Sequence, residues 1–100
     1  MGIEEKFRDK AIIRGGLFLF SGTVSLQVIK EAQLENVAIL GIDGFFLSAE
    51  GAQPSLDDSI DFSVGENVTK FAYASAEDFI RRHENSNLYF EFVFEPKHVR

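Results

Sequence analysis

The stretch Leu88-Tyr89-Phe90-Glu91-Phe92-Val93-Phe94-Glu95 constrains this chain more than any other. Successive residues of a strand point to opposite faces, so Leu88, Phe90, Phe92 and Phe94 share one side. Tyr89, Glu91, Val93 and Glu95 share the other. Burying a phenylalanine is worth roughly 1.5–3 kcal/mol, so three on one face demand a sheet with that side covered. Glu91 and Glu95 predict water on the opposite side. Pro96 ends the strand, and 96–100 reads as a frayed tail.

The remaining pattern alternates helix and strand. After Gly15-Gly16, the apolar run 17–20 suits a central strand buried on both faces. Ser21 or Thr23 then caps a helix running to about Glu35. Its stripe is Val24, Val28 and Ala32, widened by Leu26, Ile29 and Leu34, and Asn36 stops it. Residues 37–42 predict a second strand. Asp43-Gly44 predicts a tight turn into Phe45-Phe46-Leu47, because that pair tolerates the positive φ of a type I′ hairpin. Residues 48–59 have loop composition, within which Ser55-Leu56-Asp57-Asp58 has the spacing of a capping box. Ile60, Phe62 and Val64 alternate as a half-exposed strand, broken at 65–67. Ser75-Ala76-Glu77-Asp78 is a second capping box, opening a helix with Phe79, Ile80 and His83 that stops at 85–87. The expected order is β-α-β-β-β-α-β. This is an α+β domain with a mostly antiparallel sheet of four to five strands and two helices on one face. It can be drawn as a ferredoxin-like split βαβ with an added hairpin strand. The 100 residues read as a single domain, with 1–14 as an N-terminal arm or extra element.

Charge segregates along the chain. The formal net charge is −6, yet residues 31–69 hold Glu31, Glu35, Asp43, Glu50, Asp57, Asp58, Asp61 and Glu66 with no Lys or Arg. Such a segment repels phosphate and anionic lipid, so neither nucleic acid nor a membrane surface is an expected partner. A basic protein is attracted instead. The alternative is a solubilising, solvated face. No cysteine is present, which excludes disulfides and thiolate metal sites and fits a reducing compartment. The first ten residues lack the apolar core of a secretory signal, and the run 17–20 is far short of the roughly 20 residues that span a bilayer. A cytoplasmic location is expected. Asn67-Val68-Thr69 is a formal glycosylation sequon that matters only after export.

Catalytic and metal motifs are sparse. Gly41-Ile42-Asp43-Gly44 has neither the spacing nor the lysine of a phosphate loop. His83 and His98 lack a second ligand at helical spacing, so zinc is not expected. Asp57, Asp58 and Asp61 do not follow the order of an EF-hand. No nucleophile elbow is found. No cofactor, metal or catalytic residue is therefore expected.

One combination resembles a known class. Ile39-Leu40-Gly41-Ile42-Asp43-Gly44-Phe45, then Gln53-Pro54-Ser55, Ser59-Ile60-Asp61-Phe62 and Tyr89-Phe90-Glu91-Phe92, is similar to small acidic bacterial immunity-type proteins of toxin–immunity systems. The resemblance spans about 24–95 and rests on structural rather than catalytic positions. The basic residues of 1–14 have no counterpart in it. It implies a non-enzymatic protein that binds a cognate toxin, often a nuclease, and blocks its active site. Its acidic positions would face the toxin. The expected contact residues are Glu50, Asp57, Asp58 and Asp61, with Phe46 and Tyr73 as aromatic anchors. Two other readings stay open: a small ligand-binding or enzymatic domain using His83 with a nearby carboxylate, and a homodimer formed through a sheet edge or a Phe patch.

Overall fold

The computed structural model describes residues 2–62, 72–83 and 87–95. The chain forms α1 (Ile3–Lys6), a 3-10 turn (Arg8–Lys10), β1 (Ile12–Arg14), β2 (Leu17–Leu19) and α2 (Gly22–Leu34). It continues through β3 (Ile39–Ser48), β4 (Gly51–Asp61), α3 (Tyr73–Arg82) and β5 (Leu88–Phe94). The architecture is α+β and its strand pairings are antiparallel. A three-stranded sheet runs in the order β4-β3-β5, and β1 and β2 form a separate ribbon. One bridge, Phe20 to Phe90, joins the two. The expected breaks at 65–67 and 85–86, Val64 and the tail 96–100 lie outside the described residues.

Strand β5 behaves as its alternation requires. Leu88, Phe90 and Phe92 are buried in one cluster with Val28, Ile29 and Ala32 of α2, Ala76, Phe79 and Ile80 of α3, and Ile39 and Ile42 of β3. Phe94 is half-buried, its ring stacked 5.7 Å from that of Phe92. On the other face Val93 is 44% exposed, but Tyr89, Glu91 and Glu95 are half-buried, so that side is less open to water than Glu91 and Glu95 predicted.

Helix α2 starts and stops through local chemistry. The Ser21 hydroxyl accepts from the Val24 amide, as a capping serine should. At the far end Asn36 takes the left-handed conformation, φ 59°. The Val37 amide then donates to Ala32 and the Asn36 amide to Gln33. These two bonds make a Schellman stop that satisfies carbonyls the helix would leave open. The Tyr73 hydroxyl donates to the Val37 carbonyl at 2.8 Å, fastening this stop to the start of α3. Leu34, expected on the buried stripe, is 74% exposed, while Ser25 is buried and donates to the Phe20 carbonyl.

Four expectations are corrected. The run 17–20 is not a central strand: β2 has three residues and pairs with β1. Positive φ angles at Gly15 and Gly16, 55° and 83°, make the two-residue hairpin turn between them, which is where the type I′ chemistry lies. Asp43-Gly44 is no turn; β3 runs through it without a break. Residues 51–61 are strand, not loop, and the hairpin turn falls at Ala49-Glu50. Helix α3 begins at Tyr73, with Ala72 at the cap and no side-chain cap bond, so Ser75 lies inside it.

Gly44 has a different purpose from the one its neighbour implied. Asp43 pairs with Ser59 but Gly44 pairs with Ser55, so 56–58 bulge out of β4. The bulge folds back over Gly44, where an added Cβ would lie 2.8 Å from the Asp58 carbonyl oxygen and 3.1 Å from its Cβ. Only a residue without a side chain admits this approach. Gly44→Ala is expected to cost about 1–3 kcal/mol, as overpacking does, read as a lower urea midpoint with an unchanged slope. Tyr73→Phe, which removes the hydroxyl that meets the Val37 carbonyl at 2.8 Å and the Ala32 carbonyl at 3.4 Å, is expected to cost about 1 kcal/mol in the same measurement.

Candidate functional site

The acidic residues singled out by sequence lie on the outer strand β4 or its turn, whereas Phe46 lies on the central strand and Tyr73 on α3. Strand β4 is the outer strand of β4-β3-β5. Glu50 sits exposed in the β3–β4 turn, Asp57 is exposed in the bulge, and Asp61 is exposed at the far end, opposite Gly41. Phe46 is 45% exposed at the turn end of the sheet, between Gln53 and Leu88. Its neighbour Phe45 faces the other way and is buried, paired with Pro54 and Tyr89. Tyr73 is half-buried with its hydroxyl on Val37, and burial, then the Glu95 charge, raises that hydroxyl above the usual phenol range.

Asp58 differs from the other acidic residues of β4. Its Oδ1 lies 2.8 Å from His83 Nε2, and its Oδ2 accepts from the Ser55 hydroxyl at 2.5 Å. His83 Nδ1 lies 2.8 Å from the Phe79 carbonyl, and its ring lies 4.6 Å from the Phe79 ring. The partners are half-buried, with 23% and 22% of their side chains exposed. The bulge therefore projects Asp57 outward while tying Asp58 to the end of α3. The sequence pointed to His83 with a nearby carboxylate but did not identify Asp58 as that carboxylate. The Ser55–Asp58 spacing was visible, but His83 lies on an element that carries no local sign of the pairing.

A second group of carboxylates lies off this edge. Asp43 pairs directly across from Glu91. Burial raises the Glu91 carboxyl above the usual carboxylate range, and the charges of Asp43 and Glu4 raise it further. At the end of α1, Lys6 reaches Glu35, the C-cap of α2, at 2.5 Å and Glu31 within α2 at 2.9 Å, and these bonds raise its ammonium above the usual range. An open depression of about 410 Å³ lies between the β1–β2 and β3–β4 turns, lined by Arg14, Gly15, Leu17, Glu50, Gly51 and Ala52. Among the described residues, no group of three or more His, Asp or Glu side chains is placed to hold a metal ion. Nor is any helix long and apolar enough to cross a membrane. Comparison of the chain with protein-family models and with curated proteins finds no match.

The Asp43–Glu91 pairing fixes the sign of a pH effect. A carboxyl raised in the folded state binds its proton more readily there than in the unfolded chain. Its stabilising effect is therefore present at low pH and is lost as pH rises from the ordinary carboxylate range through the raised value. Glu91→Gln is expected to stabilise at pH 7 by about 0.5 kcal/mol, the scale of a cross-strand pair. The gain should vanish at pH 4, as urea denaturation at the two pH values will show.

Proposed function

We propose that this chain is a non-enzymatic protein-binding domain that captures a basic protein along its β4 edge, as an immunity protein covers a toxin. The observation that supports this is the placement of Glu50, Asp57 and Asp61, all exposed, along the turn and strand at the outside of the sheet. Among the described residues β4 has a neighbouring strand on one side alone, which leaves its other edge to a partner, and a single sign of charge selects which partner approaches. Phe46, exposed at the same end as Glu50, supplies apolar contact area. Ser55 donates to Asp58 and not to His83, which leaves its hydroxyl unprimed for attack and favours binding over acyl transfer.

The charges also admit a second reading, favoured by the bulge and Pro54. Both features, with outward carboxylates, keep an outer strand from pairing with further copies of itself. The two readings part in one experiment. Wild type and a Glu50→Lys/Asp57→Lys variant are immobilised, exposed to native lysate, and washed over a salt series. The docking reading expects a basic protein held by wild type, with release depending steeply on salt, and lost from the variant. If the same proteins stay on both, or the variant aggregates while wild type captures nothing, the acidic edge serves solubility instead.

A further inference from the structure

Both ring nitrogens of His83 meet groups that only accept. Nδ1 faces the Phe79 carbonyl at 2.8 Å and Nε2 faces the Asp58 carboxylate at 2.8 Å. A ring with two N–H groups satisfies both; a ring with one satisfies a single partner and turns a lone pair on the other. His83 is the C-cap of α3, where the helix carbonyls concentrate negative potential. Among the described residues, the Asp58 carboxyl of β4 pairs with the ring. On α3 the neighbouring charges Arg82 and Asp78 pair with each other at 3.1 Å, and Arg81 pairs with Glu77.

We propose that Ser55, Asp58 and His83 form a proton-dependent clasp. It fastens the β4 bulge to the C-terminal end of α3 and loosens as the ring loses its second proton. Ser55 holds Asp58 Oδ2, so the carboxylate presents Oδ1 to the ring. Gly44 lets the bulge lie close enough for that contact. Histidine as a residue type changes charge between about pH 5 and 8, so the clasp is charge-assisted on the acid side of this window and weaker on the alkaline side. What it controls is the order of the edge strand, independently of whether a basic protein docks there.

Amide hydrogen exchange tests this on the whole chain, corrected for intrinsic rates, at pH 5.5 and pH 8. Protection at Ile60, which pairs with Ile42, is expected to fall about tenfold on going to pH 8, the scale of one lost charge-assisted bond. Phe90 and Phe92 in β5 should keep theirs, which separates local opening from global unfolding. In His83→Gln the pH dependence should disappear. In Ser55→Ala protection should drop at both pH values while the dependence remains. Equal protection in wild type at both pH values overturns the proposal, as does an unchanged dependence in His83→Gln. Should that variant fail to fold, nitrogen resonances of the wild-type ring decide: two N–H groups at pH 5.5 with loss of the Nε2 proton by pH 8 support the clasp, and any other pattern overturns it.

Discussion

The packing of Phe20 against Phe90 is the constraint on which the other elements depend. Each residue donates its amide to the other's carbonyl, at 2.9 and 2.8 Å, and both side chains are fully buried. The Phe20 ring meets Phe7 edge-on at 6.4 Å and Phe92 at 6.3 Å. The Phe90 ring meets Phe79 at 6.0 Å. One backbone bridge thus brings together the N-terminal segment, the ribbon, the sheet and α3. Because Ser21 caps α2 directly after Phe20, the bridge also sets where that helix begins. Aromatic edge-to-face contacts add about 0.5–1.5 kcal/mol each beyond the area they bury, so this junction is held by geometry as well as by burial.

What could be read in the sequence follows from how local its causes are. The faces of β5 were legible because alternation of Phe with Glu has one strand solution. The Ser21 cap and the Asn36 stop were legible because each acts on amides or carbonyls within a few residues. Residues 43–44 and 48–59 misled for a shared reason. Asp, Gly, Ser and Pro are the vocabulary of turns, and they are also what a bulged outer strand needs. Gly44 is required by Asp58, fourteen positions on, and no local pattern encodes a close approach between strands. The start of α3 at Tyr73 shows the same override, since burial of Ala76, Phe79 and Ile80 fixes its frame without a capping side chain.

The acidic positions divide in the same way. Composition placed negative charge in the middle of the chain but could not assign it to elements. The fold puts Glu50, Asp57 and Asp61 on the outer strand or its turn, Asp43 on the central strand across from Glu91, and Glu31 in α2 and Glu35 at its C-cap under Lys6. Charges that look alike in sequence are therefore exposed at the rim of the sheet, set across from another carboxylate, or paired with a cation.

Asp57 and Asp58 make this division within two residues. A regular strand would also turn them to opposite faces, but it would hold both at the level of the pleat. The bulge gives Asp58 extra reach across Gly44 to His83 while leaving Asp57 in solvent. A half-buried carboxylate needs partners for its oxygens, and Asp58 has the Ser55 hydroxyl on one and the His83 ring on the other. The outward charge of the edge and the inward tie to α3 are consequently two sides of one irregularity. Removing the bulge to make β4 regular would lose the tie, and with it the geometry that holds Asp57 at the rim.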